Sequence, residues 1–111
     1  MIKNYNKLVR DKIPEIIEAD NHKPKTRVME ETEYIEALLT KLIEEANELI
    51  GAKDDDNELV KEIGDVYEVL NAIIEHYKLD RLEIMQLKEK RKDERGGFEK
   101  RIFLESVEEK E

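Results

Sequence analysis

Residues 41 to 65 constrain the fold more than any other stretch. They read as the end of one amphipathic helix, a short polar turn over Lys53-Asp54-Asp55-Asp56-Asn57, and the start of a second helix. Apolar residues precede the turn at Ile35, Leu38, Leu39, Leu42, Ile43, Ala46, Leu49 and Ile50. They follow it at Leu59, Ile63, Val66, Leu70, Ile73 and Tyr77. Spacings of three and four mark a helix that buries one stripe. So short a connection turns the second helix back along the first, which predicts an all-α chain built on antiparallel helices.

The same geometry gathers acidic side chains. At about 100° per residue, Glu45 and Glu48 fall roughly 90° and 150° from the centre of the first stripe, whereas Glu44 points almost directly away from it. Glu62 and Asp65 take the corresponding flank of the second helix. In an antiparallel pair, facing residues have a constant sum of residue numbers. Glu45 with Asp65 and Glu48 with Glu62 share one sum, which centres the turn at residue 55. Four carboxylates are therefore expected on one patch at the border of the core. Alone they would repel one another and raise each other's pKa values. A hard divalent cation removes that penalty, and oxygen ligands suit Mg²⁺ or Mn²⁺. The competing reading is solvated surface, the usual fate of glutamates three apart in a chain that is 44% charged. Two pairs that agree in flank, level and side favour the metal site.

These residues carry a resemblance. Glu44-Glu45-x-x-Glu48, followed after thirteen residues by Glu62-x-x-Asp65, resembles the acidic signature of the all-α nucleoside triphosphate pyrophosphohydrolases. That superfamily includes MazG-like proteins, dimeric dUTPases, dCTP pyrophosphatases and phosphoribosyl-ATP pyrophosphohydrolase. The opening Tyr5-Asn6-Lys7-Leu8-Val9-Arg10-Asp11-Lys12-Ile13-Pro14 and the closing Glu94-Arg95-Gly96-Gly97-Phe98 are similar to its small stand-alone MazG-related branch. The resemblance implies an antiparallel helical bundle completed by oligomerisation as a homodimer or homotetramer. It also implies Mg²⁺-dependent cleavage of a nucleoside triphosphate between the α and β phosphates, releasing a nucleoside monophosphate and pyrophosphate in a nucleotide-pool house-cleaning role. Glu45, Glu48, Glu62 and Asp65 would then be both metal ligands and catalytic residues. The acidic motifs say nothing of which base or sugar is preferred.

Length and composition set the outer bounds. With 111 residues the chain is expected to be one domain with a modest core. A formal charge of −9 argues against a nucleic-acid backbone as partner, while a polyphosphate stays admissible if a metal and a local basic patch supply positive charge. Cysteine is absent, which excludes disulfide and thiolate chemistry. No run approaches membrane-spanning length and no signal-like segment opens the chain, so a cytoplasmic protein without membrane partners is expected. Neither His22 nor His76 has a glutamate three residues earlier, which counts against a di-iron bundle. Both histidines are expected to be partly exposed at the surface.

Four helices are expected in all. Asp11 is placed to cap a short helix to about Ala19, with Pro14 in its first turn. The basic residues Lys7, Arg10 and Lys12 before and at its start read either as solvated charge or, by the resemblance, as part of an arm near the substrate. Residues 20–25 form a loop, and residues 26–29 and 102–104 have extended character that could pair as a minimal ribbon. Thr32 is the expected cap of the long helix ending at Gly51, and Asp56 or Asn57 that of the next, which runs to about Tyr77. Asp80, with Glu83 in the capping-box position, opens the last helix.

Cationic candidates for the substrate lie on two of these helices. Lys41, one turn before Glu45, could reach a phosphate or form an i,i+4 ion pair with Glu45. Lys88, Arg91 and Arg95, with Lys92, line one side of the last helix. They read either as a solvated end favoured by the helix dipole or as a cationic wall for triphosphate. The latter is favoured because this is the main basic cluster of an acidic chain.

Overall fold

The computed structural model describes residues 1–109. It contains α1 (Ile13–Ala19), α2 (Glu31–Gly51), α3 (Asp56–Tyr77) and α4 (Arg81–Arg95), with no strand among the described residues. The expected all-α character is observed. The extended ribbon is not, because residues 26–29 and 102–104 are irregular and largely exposed. No helix among the described residues is long and apolar enough to cross a membrane. The chain divides into two compact units, the first Met1–Lys78 and the second beginning at Leu79.

The helix starts show which side chains win the caps. Asp55 caps α3, its carboxylate accepting from the Asn57 N–H at 3.0 Å and the Glu58 N–H at 3.3 Å. The cap thus lies before both expected positions, Asp56 and Asn57. Asp80 caps α4 as expected, accepting from the Leu82 and Glu83 N–H groups. Neither Asp11 nor Thr32 caps a helix. The flanking positions are Lys12 and Glu30, and neither makes a side-chain cap bond. Glu31 and Glu33 instead place negative charge on the first turn of α2, where the helix dipole favours it. Arg27 grips Glu33 through two parallel bonds of 2.6 and 2.7 Å, which hold that carboxylate below its ordinary pKa.

The first unit is centred on the α2–α3 hairpin. Gly51 is the last residue of α2 and the return runs through Ala52–Asp55, with the Ala52 N–H bonded to the Leu49 carbonyl. At its far end α3 closes on Lys78, whose φ of 56° puts a lysine in the left-handed conformation usually given to glycine. Leu38 (3% exposed) and Val69 (8%) are the buried apolar residues, ringed by half-buried Ile35, Leu42, Leu49, Leu59, Val66 and Ile73. The apolar stripe of each helix is wider than this seam. Leu39, Ile43 and Ile50 on α2 and Ile63, Tyr67 and Leu70 on α3 remain exposed.

His76 is half-buried. Its ring meets Tyr34 and Tyr77 edge-on, with centroids 5.6 and 5.1 Å apart, and its Nε2 lies 4.0 Å from a Glu31 carboxylate oxygen. It therefore belongs to the open end of the hairpin packing. His22 is exposed.

In the second unit α4 carries exposed Leu82, Met85 and Leu87, with Ile84 half-buried, and its charged residues follow toward the C-terminal end. Lys90 pairs with Glu94 one turn on, at 3.8 Å.

Candidate metal centre

Three carboxylates converge near the closed end of the hairpin. One oxygen from each of Glu45, Glu48 and Glu62 lies within 4.8 Å of the other two. Glu45 and Glu48 are one turn apart on α2, and Glu62 approaches from α3 two turns after its cap. Helix periodicity sets the flank and the short turn sets the level.

Glu62 is the unusual member. It is 5% exposed, and its Oε2 is buried with no hydrogen-bond partner. Burial of this kind disfavours a carboxylate unless hydrogen bonds or a cation offset it. Its pKa is raised above the ordinary 4.5, first by burial and then by the charges of Glu48, Asp65 and Glu45, against a small opposing effect of Lys61. The unpartnered oxygen and the three nearby carboxylates concentrate negative charge that a cation could offset.

Asp65 departs from the expected quartet. Its Oδ1 accepts a 2.8 Å bond from a terminal nitrogen of Arg10, an ion pair that ties the N-terminal arm to α3. Its charge still acts on Glu62, but it lies outside the close trio. An arginine 55 positions upstream has claimed it. The local pattern contained no sign of that contact, because sequence spacing reports neighbours on one helix and not an arm laid across it.

Lys41 takes the ion-pair role. Its ammonium lies 3.5 Å from Glu44 and 3.6 Å from Glu45, on a side chain mostly covered by its surroundings. Glu44 is engaged by Lys41 and lies outside the carboxylate trio. Lys88, Arg91 and Arg95 are exposed on α4 in the second unit, where Lys88 pairs with Glu89 at 3.2 Å.

An open hollow of about 400 Å³ extends from Glu48 and Glu62 to the turn. Its outer wall includes Asp54, Asp55 and Glu58. Asp54 and Asp55 belong to the turn expected from the sequence, and Glu58 carries no signal in the helical pattern that points to the hollow. An approach lined so heavily by carboxylates attracts cations and repels a bare polyanion. A phosphate could enter only with a cation already present or carried in with it.

Each of the three clustered residues offers oxygen, and none offers sulfur or imidazole, so the donor set fits a hard cation such as Mg²⁺ or Mn²⁺. The chain matches no protein-family model, no curated protein and no solved structure.

Proposed function

We propose that the chain is a Mg²⁺-dependent, or Mn²⁺-dependent, nucleoside triphosphate pyrophosphohydrolase that cleaves between the α and β phosphates. The observation that carries this reading is the buried, unpartnered Glu62 oxygen in a carboxylate trio drawn from two helices. The resemblance of the acidic motifs to those of the all-α pyrophosphohydrolases supplies the choice of reaction. Geometry alone would support only a divalent-cation site.

In this reading Glu45, Glu48 and Glu62 hold the cation, and Asp65 completes the set when its carboxylate is shared or released by Arg10. A bound Mg²⁺ supplies charge neutralisation for phosphate oxygens and acidifies water. A carboxylate of the cluster, or Glu44, accepts the proton of the water that adds to the α-phosphorus as the bond to the bridging oxygen breaks. Lys41 offsets charge on the departing pyrophosphate once its pairing with Glu44 loosens. Phosphoribosyl-ATP is the alternative substrate of the same chemistry.

The exposed apolar flank of the hairpin supports self-association as a homodimer or homotetramer, which would complete an antiparallel bundle. The same flank favours a second reading, a non-catalytic helical interaction module in which the carboxylates only solubilise the chain. Incubation with a panel of canonical, deoxy and damaged triphosphates and phosphoribosyl-ATP in Mg²⁺, with release of pyrophosphate measured, separates the two. Turnover that disappears in Glu48→Gln at unchanged helicity supports the enzyme. No pyrophosphate from any member of the panel supports the module.

A further inference from the structure

The contact between Arg10 and Asp65 is not explained by the hairpin or by the metal reading. Arg10 reaches α3 from outside the hairpin, and among the described residues one of its terminal nitrogens is engaged, at 2.8 Å from Asp65 Oδ1. A guanidinium has five N–H donors in a rigid fork, a geometry suited to phosphate as well as carboxylate. The Arg10 side chain is 57% exposed and that of Asp65 30%, so the pair lies at the surface, within reach of a ligand. Lys41, beside the same cluster, is largely covered and held between Glu44 and Glu45. In the first unit Arg10 thus combines positive charge, proximity to the carboxylates and free donors.

We propose that Arg10 is a phosphate-binding residue: while resting on Asp65 at the rim of the carboxylate cluster, it presents its free N–H donors to a non-bridging oxygen of a polyphosphate ligand. The proposal rests on the metal reading, because the acidic hollow admits a polyanion only in company with a cation. Asp65 has two roles in this arrangement. It fixes the guanidinium in place, and its second oxygen stays available to the cluster. The ligand class is a di- or triphosphate, which offers more than one phosphate to the site.

The test uses the full chain and two binding measurements. Mn²⁺ binding is followed by electron paramagnetic resonance, and binding of labelled pyrophosphate by equilibrium dialysis at saturating Mg²⁺. Arg10→Ala is expected to keep its Mn²⁺ affinity within a few-fold and to lose pyrophosphate affinity roughly ten- to a hundredfold, the range for a charge-assisted hydrogen bond. Arg10→Lys keeps the charge and the pairing with Asp65 but not the fork, and should fall between the two. It also serves as the probe if the alanine variant melts early. Unchanged pyrophosphate affinity in both variants, or equal losses of Mn²⁺ and pyrophosphate affinity, would overturn the assignment and leave Arg10 as a prop for Asp65. Wild-type protein that binds Mn²⁺ but not pyrophosphate would overturn it as well. Wild-type protein that binds no Mn²⁺ would remove the metal reading first, and this proposal with it.

Discussion

Replacing Glu62 by glutamine separates a carboxylate that serves the fold from one that serves a cation. The side chain is buried, its Oε2 has no partner, and Glu45, Glu48 and Asp65 all push its pKa upward. The folded state therefore disfavours the charged form, and a neutral side chain of the same shape relieves that strain. The new amide also gains acceptors in the adjacent Glu45 and Glu48 carboxylates. Without divalent cation, Glu62→Gln should melt at or above the wild-type temperature, an unusual result for a buried polar substitution. Cation reverses the order. A ligand that binds only the folded state at a free concentration of 100 Kd stabilises it by about 2.7 kcal/mol. For a small domain that corresponds to a rise in Tm of roughly 10 to 20 °C. Wild type should show this rise when titrated with Mn²⁺, and Glu62→Gln should show little of it. Circular dichroism melts at 222 nm, with and without Mn²⁺, give all four values. A glutamine variant that is less stable without cation and gains as much from Mn²⁺ as wild type would refute the argument that burial at this position is offset by a metal.

The raised Glu62 pKa also has a pH signature: the native state holds this proton more tightly than the unfolded chain, so cation-free stability should fall as pH rises from about 4.5 through the raised native pKa and then level off. Urea midpoints across that window should fall more steeply for wild type than for Glu62→Gln, and Mn²⁺ should reduce the difference. Leu38→Ala, at the best-covered apolar position of the seam, should cost about 2 to 5 kcal/mol in chemical denaturation. Asp55→Ala removes the two side-chain bonds that start α3 and should cost about 0.5 to 2 kcal/mol, with lower helicity measured near the Tm. Ile43→Glu, on the exposed flank of α2, should shift sedimentation toward a smaller species if that flank joins copies of the chain, and should leave it unchanged if the flank faces only water.

The hairpin was legible in the sequence because two periodicities and a short acidic turn leave few ways to pack, and Glu45, Glu48 and Glu62 followed from that register. What sequence did not separate is which half of a wide apolar stripe turns inward. Leu38 and Leu39 have the same chemistry, yet one is buried and the other exposed. The α3 cap falls at Asp55 and not at the expected Asp56 or Asn57, because neighbouring aspartate and asparagine are near-equal in capping propensity. Only geometry shows that Asp55 is the one whose oxygen reaches two amides. Asp65 was expected to join the trio and is instead paired with Arg10, a contact between distant positions that carries no local pattern.

The return through Ala52–Asp55 has a kinetic consequence. Glu45, Glu48 and Glu62 are brought together by one short loop closure between consecutive helices, so little chain entropy is lost in assembling them. Such local contacts form quickly. The carboxylates would then meet, and repel, while much of the chain is still finding its place, and a divalent cation present at that moment would speed the closure of the hairpin as well as stabilise its final form.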